Sequence, residues 1–520
     1  QTSDEKGGSK TWCIIVGTAS GSLFSFDDRD VSAGIEKAHN GPVLCLAEGN
    51  KECSYLVSGG KDHSVRVWNQ ALQPISSFDV SKLCISDASI ASLDVRPFVD
   101  GYGSLNNDLV FLVGTTGGDI IELSVSPSNK SNDVDKAALD ISNAHENVLM
   151  TSHCKGELWG LAVHPTNPDI FATVGDDSTL RIWNIKKNKM ISHVILPHAA
   201  RSVAWAVLPQ VDAVHRSIGA DAADDPPKEV IAVGFMEADS HNHRGKTNKA
   251  GDRRKKSAKK SPHSSLHLYK VEVVKNNYEL ELIAQGSPTD AWVGSLQFSP
   301  VWINIDEDGS EAPSTIRIGA GCHDKNLYLY DLPNPWDKNS LSMTEESWED
   351  VFDAPDYIFK KHSSAVINFD FNGNGTAFQS TCQAGELLYG AFQNGKVIQK
   401  TSATEMAQYN GVREDDSDPN FWFSQTCTLG WPVQGIWPPG ADTSDINACD
   451  RSPKGDLLAT VDDYGLVKVF RYPAVADVSK HLEFTGHSSH ATNVRWTTGE
   501  HLISTGGNDK CVFIWECVRE

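Results

Sequence analysis

Apolar and polar residues alternate along most of this 520-residue chain in short runs, which is the period-two signature of half-buried β-strands. The clearest run is the last, GHSSHATNVRWTTGEHLISTGGNDKCVFIW over 486–515. It predicts one strand from Ala491 to Trp496, a second from His501 to Thr505, a Gly-Gly-Asn-Asp turn, and a third ending at Trp515. Comparable units recur upstream. TWCIIVGTASGSLFSF (11–26) predicts a hairpin, and strands follow at 43–47, 55–58 and 65–68. Further alternating pairs lie at 90–125, 156–185, 201–271, 293–332, 366–399 and 445–473. No convincing amphipathic helix interrupts them.

The units also share a spacing. In the terminal one, His487 can bridge Thr505 and Asp509, and the Asp carboxylate can orient the imidazole toward Trp515. His39, Ser58, Asp62 and Trp68 repeat the four roles, with Trp six positions after Asp in both units. Polar groups inside an apolar unit persist when each satisfies another. Thr173, Asp177 and Trp183 keep the spacing without the His, which predicts a unit held mainly by packing. Asp324 and Tyr330 take the Asp and Trp roles in a further unit, the unit at 366–399 has lost both, and 445–473 carries Asp462-Asp463 and Phe470 with one extra turn residue. Short, evenly repeated strands with this tetrad predict an all-β WD-repeat β-propeller.

Open sheet edges invite mispairing, so a propeller closes its last blade on the start of its ring. Eight units and a fragment exceed the usual four to eight blades of one ring. Residues 1–77 are therefore expected to be the closing blades of an upstream tandem propeller, and 78–520 a C-terminal propeller of about seven blades with an inserted basic loop at 236–265. Other long insertions fall at 209–225, 302–314 and 333–358.

Composition narrows the class. A formal net charge of −22 argues against non-specific binding to nucleic acid or an anionic membrane. No apolar run approaches the 18 residues of a spanning helix, and the first ten residues lack the apolar core of a signal peptide. The sequence starts at Gln1 without Met, so a processed or truncated chain is expected. Eleven cysteines occur with no C-x-x-C pair, which reads as reduced core thiols in a cytosolic protein.

Four segments carry a more specific resemblance: GELWGLAVHP (156–165), LGWPVQGIWPPGADTSDINA (429–448), LLATVDDYGLVKVFRYP (457–473) and GHSSHATNVRW (486–496). They resemble the second propeller of the echinoderm microtubule-associated protein-like family, in which two atypical propellers sit in tandem and associate with microtubules. The resemblance runs from Thr11 to Trp515, broken by the insertions. Upstream of Thr11 the family would carry most of a first propeller and, in many members, a coiled coil; neither is in this sequence. The resemblance implies a non-catalytic, microtubule-associated WD-repeat protein that binds the tubulin lattice and neighbouring cytoskeletal or axonemal proteins. It implies the cytoplasm and cytoskeleton, and the axoneme of a cilium or flagellum, as its places. A general WD-repeat scaffold for a signalling or ubiquitin complex is the alternative.

Candidate chemistry is sparse. The basic run RGKTNKAGDRRKKSAKK supplies Arg244, Lys246, Lys249, Arg253, Arg254, Lys255, Lys256, Lys259 and Lys260, a flexible counterpart for acidic tubulin. A solvated insertion with no dedicated partner is the competing reading. Contact with RNA is disfavoured because no aromatic stacking partners lie nearby. Asp176-Asp177 and Asp462-Asp463 resemble acid–base pairs, but both fall in blade turns where the second Asp is expected to hold the tetrad. IDEDGSE (305–311) lacks calcium-loop spacing, and His241-Asn242-His243 reads as solvated. Phe421, Trp422, Phe423, Trp431 and Trp437 form an aromatic cluster assigned mainly to packing between blades, with an exposed partner patch as the alternative. No catalytic residue, metal, cofactor, nucleic acid or membrane is expected.

Overall fold

A computed structural model describes residues 13–27, 30–48, 55–69, 71–99, 105–125, 145–208, 228–236, 265–275, 277–287, 291–300, 303–305, 311–313, 315–333, 348–402, 405–406, 422–442 and 444–518. Among these residues nearly all regular structure is antiparallel β-sheet, relieved by short 3-10 turns at Asp350–Phe352 and Trp431–Ile436. The all-β WD-repeat propeller class predicted from the alternation is the class observed. By contact the chain divides into two compact units, residues 1–154 and 155–520.

Among the described residues the first unit holds three sheets. One has strands Cys13–Gly17, Leu23–Asp27 and Asp30–Ile35. The second runs Val43–Glu48, Leu56–Gly60, Ser64–Trp68 and Pro74–Asp79, and the third Ile90–Val99, Leu105–Thr115, Ile120–Val125 and His145–Met150. The alternation suggests a boundary after residue 77, whereas the contacts divide the chain after 154. The reason is the sheet that begins at Ile90. Its Ile90, Phe111 and Val113 share one buried core with Val57, Val65 and Phe78 of the preceding sheet, and Cys45 Sγ lies 3.6 Å from the Ile90 carbonyl oxygen.

The second unit closes on itself. Among the described residues its six innermost strands are Leu158–Val163, Ala200–Val207, Val293–Phe298, Val366–Phe371, Ile446–Arg451 and Ala491–Trp496, each opening one antiparallel sheet. Five of these sheets have four strands and the last has three. The ring joins where the Leu158 amide donates to the Gly507 carbonyl at 3.3 Å and the Thr492 hydroxyl donates to the Leu158 carbonyl at 2.6 Å. Blades stack face to face, so a middle strand such as Ile170–Gly175 is buried at all six positions while the rim strand His481–Phe484 is exposed throughout. That is why the former reads as a continuous apolar run and not an alternating one. Close stacking also explains Gly234 and Gly321 at second-strand ends: a Cβ there would lie 2.6 Å from Val293 Cγ1 and 2.9 Å from Val366 Cγ1 of the next blade.

Between the fourth and fifth blades the chain inserts 422–428. Asp370, fully buried, accepts from Ser424 Oγ at 2.7 Å, the Thr426 amide at 2.8 Å and hydroxyl at 2.9 Å, and the Cys427 amide at 2.9 Å. A buried carboxylate is tolerable only with such a set of donors. Of the insertions, 303–305 pairs with 311–313 as a small ribbon. Residues 348–359 complete a blade: Phe352 is 1% exposed within the core and Tyr357–Phe359 is the fourth strand of its sheet.

Candidate functional site

The tetrads come first, because the sequence places its named residues there. In the sheet of 43–79, His39 Nε2 meets Ser58 Oγ at 2.7 Å, His39 Nδ1 meets Asp62 Oδ1 at 2.8 Å, and the Trp68 indole N–H donates to Ser58 Oγ at 2.8 Å. All four expected partners are joined. In the terminal blade, His487 Nδ1 meets Asp509 Oδ2 at 3.2 Å, but Nε2 meets Ser504 Oγ at 2.8 Å, and Trp515 Nε1 donates to the same oxygen at 2.9 Å. The hydroxyl of this tetrad is therefore Ser504, and Thr505 is a correction. Counting back ten residues from Trp515, as from Trp68 to Ser58, lands on Thr505; the terminal turn carries one residue more. Adjacent strand residues face opposite ways, so Thr505 points instead to Thr492 Oγ1 at 3.0 Å.

The blade of 158–195 brings together Thr173 and Trp183, whose indole N–H donates to Thr173 Oγ1 at 2.7 Å. Its missing His was expected to leave the unit held mainly by packing. Instead Arg181, wholly buried, donates to Asp177 Oδ2 at 3.2 Å and to Thr179 Oγ1 at 3.0 Å. The signal was present as Asp-x-Thr-x-Arg, which matches Asp62-x-Ser64-x-Arg66. In the fifth blade the first carboxylate of the pair does the work: Asp462 accepts the Tyr464 and Leu466 amides, both at 3.0 Å, and Lys468 Nζ at 2.8 Å. The second, Asp463, accepts from Asn447 Nδ2, which corrects the expectation that the second Asp holds this turn. Asp324 is held by Tyr328 Oη at 2.6 Å, while Tyr330 fills the Trp position as a buried ring packed edge-on to Phe352. The fourth blade, which lacks the Asp and Trp, keeps a shortened clip: His362 Nε2 meets Ser380 Oγ at 2.7 Å, and Glu386 stands 3.6 Å from Nδ1.

Electrostatics makes these clips structural. Burial lowers the His39 and His487 pKa below 6.5 despite the facing carboxylates. Burial alone would raise Asp62, but hydrogen bonds from His39, the Asn40 amide and Ser64 outweigh it and hold the carboxyl at about 2. A neutral imidazole between a carboxylate and a hydroxyl occurs in nucleophilic triads, yet each hydroxyl here is also bonded to an indole N–H and is fully buried. Asp370 and Asp450 occupy the same position in neighbouring inner strands, and burial pushes Asp450 up to about 6. Asp450 accepts the Trp496 amide at 2.7 Å, and both carboxyls serve the joints between blades.

A second feature was invisible as a pattern. Every inner strand of the ring carries a β-bulge at its second residue, and a bulge re-aims the side chain it carries. The bulged residues include Trp159, Arg201, Asn447 and Thr492. Asn447 reaches the Ala491 carbonyl at 2.9 Å, and Thr492 reaches the Leu158 carbonyl. Arg201 lies 4.2 Å over the Trp159 ring and 5.2 Å from that of Trp292, with Asp176 Oδ1 at 3.3 Å and Glu157 Oε2 at 3.8 Å. The arginine is thus held between two indoles and paired with two carboxylates. Of the aromatic cluster, Trp422 is buried and stacked on Tyr389, Trp437 donates to the Thr428 carbonyl, and Phe423 and Trp431 are 57% and 54% exposed. Phe421 lies outside the described residues. So do His241, His243 and the basic-loop residues Arg244, Lys246, Lys249, Arg253, Arg254, Lys255, Lys256, Lys259 and Lys260.

Residues 270–517 match the family described as the echinoderm microtubule-associated protein second beta-propeller. Residues 32–69 and 146–184 match the WD domain, G-beta repeat. The 77 kDa echinoderm microtubule-associated protein of Strongylocentrotus purpuratus is 25% identical over 520 residues, covering 97% of this chain and 56% of the relative. The ciliary WD repeat-containing protein ctxp80 of Euplotoides octocarinatus is 26% identical, covering 89% of this chain and 50% of the relative. Echinoderm microtubule-associated protein-like 2 of Homo sapiens is 25% identical, covering 97% and 59%. The chain thus spans between half and three fifths of the length of these relatives. The resemblance carried by 156–165, 429–448, 457–473 and 486–496 in the sequence extends along nearly the whole chain.

Proposed function

We propose, from the premise that this chain is similar along 97% of its length to echinoderm microtubule-associated proteins, that it is a microtubule-associated, non-catalytic WD-repeat protein. It binds the tubulin lattice and neighbouring cytoskeletal proteins, and the likeness to a ciliary WD-repeat protein supports a place in the axoneme. The length of that similarity is the observation that carries the reading. Neutral, indole-capped tetrads and carboxyls engaged at blade joints support a binding role over catalysis. A protein of net charge −22 facing acidic tubulin needs local positive charge. The basic run 244–260 supplies it.

Co-sedimentation with polymerised microtubules across a salt series tests this. The intact chain is expected to pellet at low salt and to be released as salt rises, and a chain lacking 244–260 to pellet less with a shallower salt dependence. No pelleting at low salt would overturn the reading in favour of a scaffold for other complexes.

A further inference from the structure

We propose that the fourth blade of the second unit holds a zinc-type divalent cation between His362, Cys382 and Glu386. One ligand atom from each of these residues, an imidazole nitrogen, Sγ and a carboxylate oxygen, all lie within 4.8 Å of one another. Cys382 Sγ is 3.1 Å and His362 Nδ1 3.6 Å from Glu386 Oε2. The two separations from the carboxylate are close to those that neighbouring ligands keep around one tetrahedral ion with metal–ligand bonds of about 2.0–2.3 Å.

The other blades show what is different here. In the His39 clip the residue two after the tetrad serine is Gly60, where a Cβ would lie 2.3 Å from His39 Nδ1 and 2.4 Å from Asp62 Oδ1; Gly506 in the terminal blade is similarly crowded. Two residues after Ser380 stands Cys382. The fourth blade thus places a thiol where its counterparts leave room for a direct imidazole–carboxylate bond. The carboxylate has retreated accordingly: Glu386 lies six residues after Ser380, against four from Ser58 to Asp62. His362 Nδ1 is left buried without a hydrogen-bond partner, in a side chain with no exposure.

The outer contacts are those of a metal site. Ser380 Oγ lies 2.7 Å from the far nitrogen of the ring; a metal on Nδ1 would fix the tautomer in which Nε2–H donates to that oxygen. The Ser363 amide at 2.9 Å and hydroxyl at 2.7 Å orient the Glu386 carboxylate. A thiolate, an imidazole and a carboxylate suit zinc, whereas calcium and magnesium prefer all-oxygen sets. Binding displaces one proton, from the Cys382 thiol to solvent, and leaves one coordination position for water. The cysteine count and missing C-x-x-C motif hide such a site, since its ligands come from a loop and the two sides of a hairpin turn.

The test uses the full chain after chelation and exhaustive dialysis, titrated with cobalt and then zinc under reducing conditions. One cobalt per chain is expected, with tetrahedral visible bands and a thiolate-to-cobalt charge-transfer band that zinc abolishes. Cys382→Ser should lose the charge-transfer band, and Glu386→Gln should weaken binding by about tenfold or more. Zinc should raise the unfolding midpoint of the parent chain and leave that of Cys382→Ser unmoved. Absence of the band, or its survival in Cys382→Ser, would overturn the proposal. Both variants keep the His362–Ser380 contact, so equal circular dichroism before metal addition separates lost binding from lost fold.

Discussion

In the sheet of residues 43–79 the Asp62 carboxylate faces a neutral imidazole, and Arg66, four residues on, is 32% exposed at 3.5 Å. In the sheet of 158–195 no imidazole fills the equivalent position of the clip. The equivalent Arg181 is 0% exposed and lies 3.2 Å from Asp177, itself 2% exposed. The same Asp-x-Ser/Thr-x-Arg spacing thus yields a spectator arginine in one blade and a core ion pair in the other. Removing the His does not leave a weaker blade held by packing; it recruits a side chain already in the motif. An arginine is suited to that exchange because its guanidinium offers several donors in a fixed plane.

The sharpest way to break this comparison is to remove each arginine. Arg181→Met should destabilise the second unit by about 3–5 kcal/mol, because Asp177 is left as an uncompensated buried charge. Arg66→Met should cost less than about 1 kcal/mol, the usual yield of an exposed pair. Chemical denaturation followed by tryptophan fluorescence would measure both, and equal effects would refute the assigned roles. Next in size is the indole contact shared by the two blades. Trp183→Phe and Trp68→Phe should each cost about 1–3 kcal/mol by removing the indole donor from a buried hydroxyl. Trp68→Phe leaves His39 engaged with Ser58, so its effect should fall toward the lower end of that range.

The terminal blade extends the comparison to register. Ser504→Ala removes the hydroxyl that meets His487 Nε2 and accepts from the Trp515 indole and should cost about 1–2 kcal/mol, whereas Thr505→Val, which loses the contact to Thr492, should cost about 1 kcal/mol or less. Thermal unfolding of the pair would decide between the two hydroxyls. This is also where the sequence stops being legible. Alternation and the six-residue Asp-to-Trp offset suffice for the fold class and for His39, Ser58, Asp62, Trp68, Asp177 and Trp183. They fail where a turn gains a residue, because a slip of one reverses the face of a strand position. They fail again at Arg181 and Glu386, where the partner is not the consensus type, and at Arg201, where three strands distant in sequence bring an arginine between two indoles. The boundary after 154 was hidden because the sheet beginning at Ile90 alternates like the rest, and only its packing on Val57 and Val65 assigns it.

The smallest effect is the one that most cleanly separates the two kinds of clip. His39 and His487 have folded-state pKa values depressed below 6.5 by burial. A depressed histidine means that the unfolded chain binds more protons than the folded one as pH falls past 6.5. Its contribution is therefore fully present above that pH and is lost progressively as pH falls through the folded value. Arg181 does not titrate in this range, so its clip contributes equally throughout. Between pH 7 and 5 the imidazole signals of His39 and His487 in a proton NMR titration should begin to shift only below pH 6.5, and the indole N–H resonances of Trp68 and Trp515 should move with them. The Trp183 indole should stay still over the same interval. If Trp183 instead followed the imidazoles, the guanidinium clip would be coupled to a titrating neighbour, and His193, which faces Arg181 across the sheet and whose own pKa is lowered by burial and by that arginine, would be the residue to replace first.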